Sequence, residues 1–200
     1  MTRKLRLIPL VAILLLGSLV VGTTWHEVVG HGLTGVLLGG RLRYVQVLTV
    51  RFSPGIEWRG WEGAYGVCDV TDVPTPRRER IMELAGSMST WCVSVLAVGL
   101  LWIRRWRGWR RWLLIGLSIW WIDLMTYLLP SWGIRRSILW GARSSEPYQA
   151  ATALGIPGPL IQSFGIVTSV ALAAALVLRL VRDRDTKDAP TDVAPAPQGS

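Results

Sequence analysis

Four long apolar stretches separated by clusters of arginine dictate what this chain of 200 residues can fold into. A helix needs about 20 mostly apolar residues to cross a bilayer. Leu7 to about Leu38, Leu84–Ile103, Trp112–Ile134 and Pro159–Leu178 all meet that condition. Glu27 is the only formal charge in the first stretch and Asp123 the only one in the third. Half of all residues are hydrophobic, and these stretches absorb most of them. The expected fold is therefore an all-α polytopic membrane protein of about four transmembrane helices, near 7–38, 82–103, 112–131 and 158–181, with a small β-containing surface loop. Residues 1–181 form a single membrane-embedded domain in this reading. The first stretch is long for one span: its 32 residues would run to roughly 48 Å as a helix. It has to tilt, bend or leave the bilayer around residues 26–31.

The net charge of +9 raises nucleic acid as a partner, but the arginines flank apolar stretches and do not gather on one soluble face. They read as topology signals. Arg3, Lys4 and Arg6 precede the first stretch, Arg104, Arg105, Arg107, Arg110 and Arg111 fill the turn between the second and third, and Arg179, Arg182 and Arg184 follow the fourth. The positive-inside rule then puts both termini and that turn in the cytoplasm of a multi-pass plasma-membrane protein. Trp25, Trp102, Trp106, Trp109, Trp112 and Trp132 fall near the ends of the stretches, where amphipathic rings prefer the headgroup layer. No small-residue cleavage site follows the basic N-terminus, so the first stretch is expected to be a retained helix.

Outside the apolar stretches the signals are weaker. Arg41–Phe52 is rich in β-branched and aromatic residues with partial alternation, which predicts a strand or hairpin at the membrane surface within the loop 39–80. Ser53–Thr75 is broken by Gly and Pro and reads as irregular. Pro147–Ile156 suits a short helix. Residues 182–200 are polar and rich in Asp, Pro and Ala, the composition of a disordered tail. Cys68 and Cys92 sit in different environments and no CxxC spacing occurs, so no disulfide or zinc ribbon is expected. Gly35 and Gly39 match the GxxxG pattern, which is cheap in a chain with 21 glycines.

The chemistry is concentrated in His26-Glu27-Val28-Val29-Gly30-His31. A hydrolytic zinc site needs two or three neutral or anionic ligands, an open position for water, and a carboxylate to take the water's proton. The two histidines, the only ones in the chain, bracket a carboxylate that is costly within an apolar span. Their spacing of five would set them about 140° apart on an ideal α-helix. They can share an ion only if the helix widens locally into a π-bulge, which Gly30 and Gly32 favour. For a third ligand Asp123 leads, with Glu83 and Glu146 as rivals.

His26 to Arg43, with its Gly39-Gly40 pair and basic continuation, resembles the first motif of the site-2-protease-like intramembrane zinc metalloproteases. Leu84-Ala-Gly-Ser-Met-Ser-Thr90 resembles that family's Ala-Gly-Pro-x-x-Asn element, and Asp123 resembles in role the aspartate that completes the zinc site. The chain departs from the pattern in its longer His spacing, in Ser87 and Thr90 where Pro and Asn are usual, and in lacking Asp-Gly after Pro130. The HExxxH spacing is similar to that of the dipeptidyl peptidase III family. The resemblance implies hydrolysis of peptide bonds in membrane-associated substrates, with Zn2+ held by His26, His31 and Asp123 and Glu27 as general base. Thr90 and Tyr127 remain outside that set, as a self-bonded hydroxyl and a ring of the aromatic belt or a supporting hydrogen bond. A membrane scaffold that keeps the fold without the activity is the alternative, and a metal transporter would call for further His, Asp or Glu residues along a path.

Overall fold

The computed structural model describes residues 7–52, 55–60, 65–135 and 145–188. Helix α1 (Leu7–Trp25) passes without interruption into a π-helical segment, His26–Leu33, and then into a short helix α2 (Thr34–Leu37). The π geometry is what a five-residue histidine spacing requires, because its wider turn brings residues i and i+5 onto one face. The run ends at Gly39, whose φ of +95° is open to glycine without cost. Gly39 N–H donates to Val36 O and Gly40 N–H to Gly35 O, the paired bonds of a left-handed helix terminus.

A four-stranded antiparallel sheet follows, from β1 (Arg41–Val47), β2 (Val50–Phe52), β3 (Ile56–Trp58) and β4 (Gly66–Thr71), in the order β3-β2-β1-β4. The expected hairpin over Arg41–Phe52 is present, but Ser53–Thr75 is less irregular than its composition suggests, since it supplies β3 and β4. The reason is long-range pairing: β4 aligns along all of β1, from Arg41 opposite Thr71 to Val47 opposite Gly66, with one irregularity between Leu42 and Tyr44. Every residue of β4 is half-buried, so no in–out alternation marks it as a strand.

Helix α3 (Pro76–Ile103) starts with Pro76 at its first turn and Thr75 accepting the Arg78 N–H, a cap that fixes the end of the sheet excursion. Next come α4 (Gly108–Ser118), α5 (Trp121–Leu128) and a 3-10 turn, Leu129–Trp132. Then α6 (Glu146–Ala153) fills the place expected of a short helix, and α7 (Gly158–Asp188) is the last element among the described residues. Among the described residues three helical stretches are long and apolar enough to cross a membrane: Pro76–Ile103, Gly108–Trp132 and Gly158–Asp183. The protein has the make-up of a helical membrane protein carrying a small sheet. Its outward side chains agree, with Leu16 on α1, Leu96 on α3 and Val167 on α7 all more than half exposed, as suits faces solvated by lipid. The helix of α7 continues through Asp188, beyond the expected limit at residue 181, where Asp183 meets Arg111 and Arg179 at 3.2 and 3.4 Å. That pairing offsets the polarity that composition reads as disorder; residues 1–6 and 189–200 lie outside the described residues.

The expected third helix is broken at Ile119-Trp120, and the break is held by hydroxyls. Ser18 Oγ donates to Gly116 O at 2.6 Å, Ser94 Oγ donates to Leu117 O at 3.3 Å, and Trp120 Nε1 donates to Ser18 Oγ at 2.8 Å. Side-chain donors of this kind make a broken helix tolerable in a bilayer. The restart places Asp123 in the first turn of α5.

The tightest packing joins the π segment to α3. A Cβ built on Gly30 would lie 2.5 Å from Gly86 Cα, so the two backbones touch. Gly30→Ala is expected to destabilise the protein by about 1–3 kcal/mol through overpacking. Gly17→Ala, with open space around it, is expected to be stabilising by up to about 1 kcal/mol from helix propensity. Thermal melts of the two variants in detergent test this; equal melting temperatures would mean the Gly30–Gly86 approach is not tight.

Candidate metal centre

The centre is built from the inside of the π segment outward. His26, Glu27 and His31 are all buried, at 2%, 4% and 6% exposure. The two imidazoles meet edge to face, with their Nε2 atoms 3.0 Å apart. Their other nitrogens are already committed. His26 Nδ1 lies 2.7 Å from Asp123 Oδ2, and His31 Nδ1 lies 2.9 Å from Met82 O. A carboxylate and a peptide carbonyl only accept, so each Nδ1 donates, and in the neutral ring each Nε2 presents a lone pair.

At 3.0 Å two neutral rings would repel through these lone pairs, so either a proton on one Nε2 makes a hydrogen bond to the other or a metal ion takes both. With Zn–N near 2.0–2.1 Å, two nitrogens on a tetrahedral ion stand roughly 3.3 Å apart, slightly wider than the pair here. The third group is Glu146. Its Oε2 is 3.7 Å from His31 Nε2, and suitable atoms of His26, His31 and Glu146 all lie within 4.8 Å of one another. Glu146 opens α6, whose start is tied to α5 by Ser145 Oγ donating to Tyr127 O at 2.7 Å. Its side chain is 37% exposed, so it faces the accessible side of the centre.

The other expected residues take different positions. Asp123 does join the cluster, but its observed contact is with the outer nitrogen of His26, away from the edge that faces His31. Thr90, fully buried, places Oγ1 2.9 Å from the same Asp123 Oδ2 and 2.8 Å from Ser87 O. Tyr127 stacks on His26, with ring centroids 4.9 Å apart and planes 14° apart. Glu83 is engaged by Arg80, whose Nη1 lies 2.7 Å from both carboxylate oxygens.

Two glycines leave the space in which this set works. A Cβ on Gly86 would come within 2.6 Å of both His26 Nε2 and His31 Nε2, and one on Gly66 of β4 would collide with the Glu27 carboxyl group. Gly86 was legible only as part of the Leu84–Thr90 element. Nothing in composition or spacing marks it, or Gly66, as a position where the absence of a side chain matters. Cys68 lies close by on β4; burial first, then the charges of Glu27 and Asp69, push its thiol up to about 12. Both Cys68 and Cys92 are free.

Gly86→Ala is expected to abolish metal uptake with little loss of helicity, checked by metal content and circular dichroism; full uptake would place any ion elsewhere. In a Cys92→Ser background, Cys68 is expected to resist maleimide at pH 8, because so little of a thiol with a pKa of about 12 is ionised there. Glu27→Gln removes a negative charge, lowers that pKa and accelerates labelling. An unchanged rate would show that Glu27 is uncharged or remote.

No protein-family model matches the chain, and neither does any curated protein or solved structure, so the chemistry of the centre rests on its own side chains.

Proposed function

We propose that this protein is an intramembrane zinc-dependent peptidase, a divergent relative of the site-2-protease-like enzymes, with His26, His31 and Glu146 as the metal ligands and Glu27 as the general base. The reading is carried by one observation: two buried imidazoles whose Nε2 atoms stand 3.0 Å apart while both Nδ1 atoms face acceptors. Such an arrangement is poised for a cation that accepts two nitrogen lone pairs and one carboxylate. In this reading α1 and the π segment make a fourth span, the protein lies in the plasma membrane with both termini cytoplasmic, and its substrates are peptide segments of membrane proteins.

Zinc supplies Lewis acidity at the scissile carbonyl and acidifies water. The remaining work belongs to side chains of the chain. Glu27, next to His26 in sequence and buried beside β4, accepts the proton of the attacking water and passes it to the departing amine. The missing side chain at Gly66 is what lets that carboxyl group pack against β4. The partly exposed Glu146 marks the side from which an unwound peptide enters.

Elemental analysis of detergent-purified protein reloaded with zinc, together with cleavage of a library of transmembrane peptides, tests the proposal. Wild type is expected to hold about one zinc per chain, lost in His26→Ala and His31→Ala and weakened in Glu146→Gln. Glu27→Gln is expected to keep its zinc while cleavage falls about 10²–10⁴-fold. Wild type that takes up no zinc would sink the peptidase reading and leave a membrane scaffold.

A further inference from the structure

We infer that Asp123 is a positioning residue and that Thr90, Asp123 and His26 form a hydrogen-bond chain which fixes His26 with its Nε2 lone pair toward His31. This departs from the role that the family resemblance implies for Asp123, and it rests on the zinc reading only for its effect on affinity. The geometry of the chain does not depend on an ion.

The argument starts from the imidazole ring, whose two nitrogens lie on opposite edges. Asp123 Oδ2 sits 2.7 Å from Nδ1, while the edge that meets His31 is Nε2. A carboxylate is a stronger acceptor than a peptide carbonyl, so His26 holds its Nδ1–H more firmly than His31, which faces only Met82 O. Asp123 is itself aimed by two elements. The break at Ile119-Trp120 puts it in the first turn of α5, where a carboxylate is favoured by the helix dipole. From α3, the Thr90 hydroxyl reaches Oδ2 at 2.9 Å. Tyr127, one turn further along α5, lies flat against the His26 ring and limits its rotation. Ring plane, tautomer and direction of the lone pair are thus all determined from the Asp123 side.

Thr90 also lies 2.8 Å from Ser87 O, and a hydroxyl on a membrane helix commonly bonds to its own backbone. Its one hydrogen has two acceptors within reach. Valine removes the hydroxyl at nearly constant shape, whereas serine keeps it, so the pair Thr90→Val and Thr90→Ser separates a bond to Asp123 from one that serves α3 alone.

The test combines ¹⁵N imidazole spectra of metal-free protein above pH 8 with zinc affinity measured by competition with a chelator. Wild type is expected to show the Nδ1–H tautomer at His26, and Asp123→Leu to lose it. Asp123→Leu should still bind zinc at saturation, with affinity about 10–100-fold weaker. Thr90→Val should weaken affinity by up to about tenfold, with Thr90→Ser restoring it. The inference is overturned if Asp123→Leu loses stoichiometric zinc as His26→Ala does, which would make Asp123 a ligand. It is also overturned if tautomer and affinity in Asp123→Leu and Thr90→Val match wild type. Wild type that shows the Nδ1–H tautomer, lost in Asp123→Leu, but binds no zinc would remove the peptidase reading and leave the hydrogen-bond chain standing.

Discussion

The contact between Gly30 and Gly86 is the constraint on which the rest of the structure depends. Helices in a bilayer gain little from hiding apolar surface from one another, so close association relies on small residues that let backbones meet. Here the meeting is between a π-helical turn and α3, and it has a chemical result. The same Gly86 that accepts Gly30 also borders both Nε2 atoms, and Met82, one turn earlier on α3, offers its carbonyl to His31. Packing and site are therefore one arrangement: a displacement of α3 that relieved Gly30 would also release His31.

A second dependence runs through the break between α4 and α5. An unbroken helix would continue from α4 without the restart that puts Asp123 in a first turn. The Gly116 carbonyl is met by Ser18 from α1, and that of Leu117, which also accepts the Trp120 N–H, by Ser94 from α3, so α1, which runs on into the segment bearing His26, and α3, which bears Thr90, hold the break that presents Asp123. Buried polar groups here serve one another. The hydroxyls at the break and the charged centre meet on α3, which carries both Ser94 at the break and Thr90 beside Asp123.

Much of this was legible in the sequence because lipid imposes a coarse rule. Apolar length fixed three spans closely, and an ionisable group within an apolar run pointed to His26, Glu27, His31 and Asp123 before any coordinates. The five-residue histidine spacing even implied the π turn, since no other local geometry brings both rings to one face. What stayed hidden depends on contacts between distant segments. β4 is a strand because β1 pairs with it, and its half-buried residues carry no alternation. The GxxxG pair turned out to have two separate tasks: Gly35 gives way to Met82 and Val70, while Gly39 ends a helix at positive φ. Asp123 led Glu83 and Glu146 as third ligand because it is the charge within a span, but such a charge says that a carboxylate has a partner without saying which atom of the partner it meets.

That last distinction decides what kind of centre this is. Had Asp123 approached Nε2, the centre would be closed by three groups from buried helices. Instead the Asp123 carboxylate, 23% exposed, meets a ring from behind, and Glu146, 37% exposed, opens a short helix tethered by Ser145 to Tyr127. Both imidazoles are carried by the π segment, while the third group stands at the start of α6, whose Ala150 and Ala151 are fully buried. In the zinc reading proposed above, Thr90 fits this arrangement, because an aspartate that orients a histidine through its outer nitrogen is itself held by a hydroxyl neighbour.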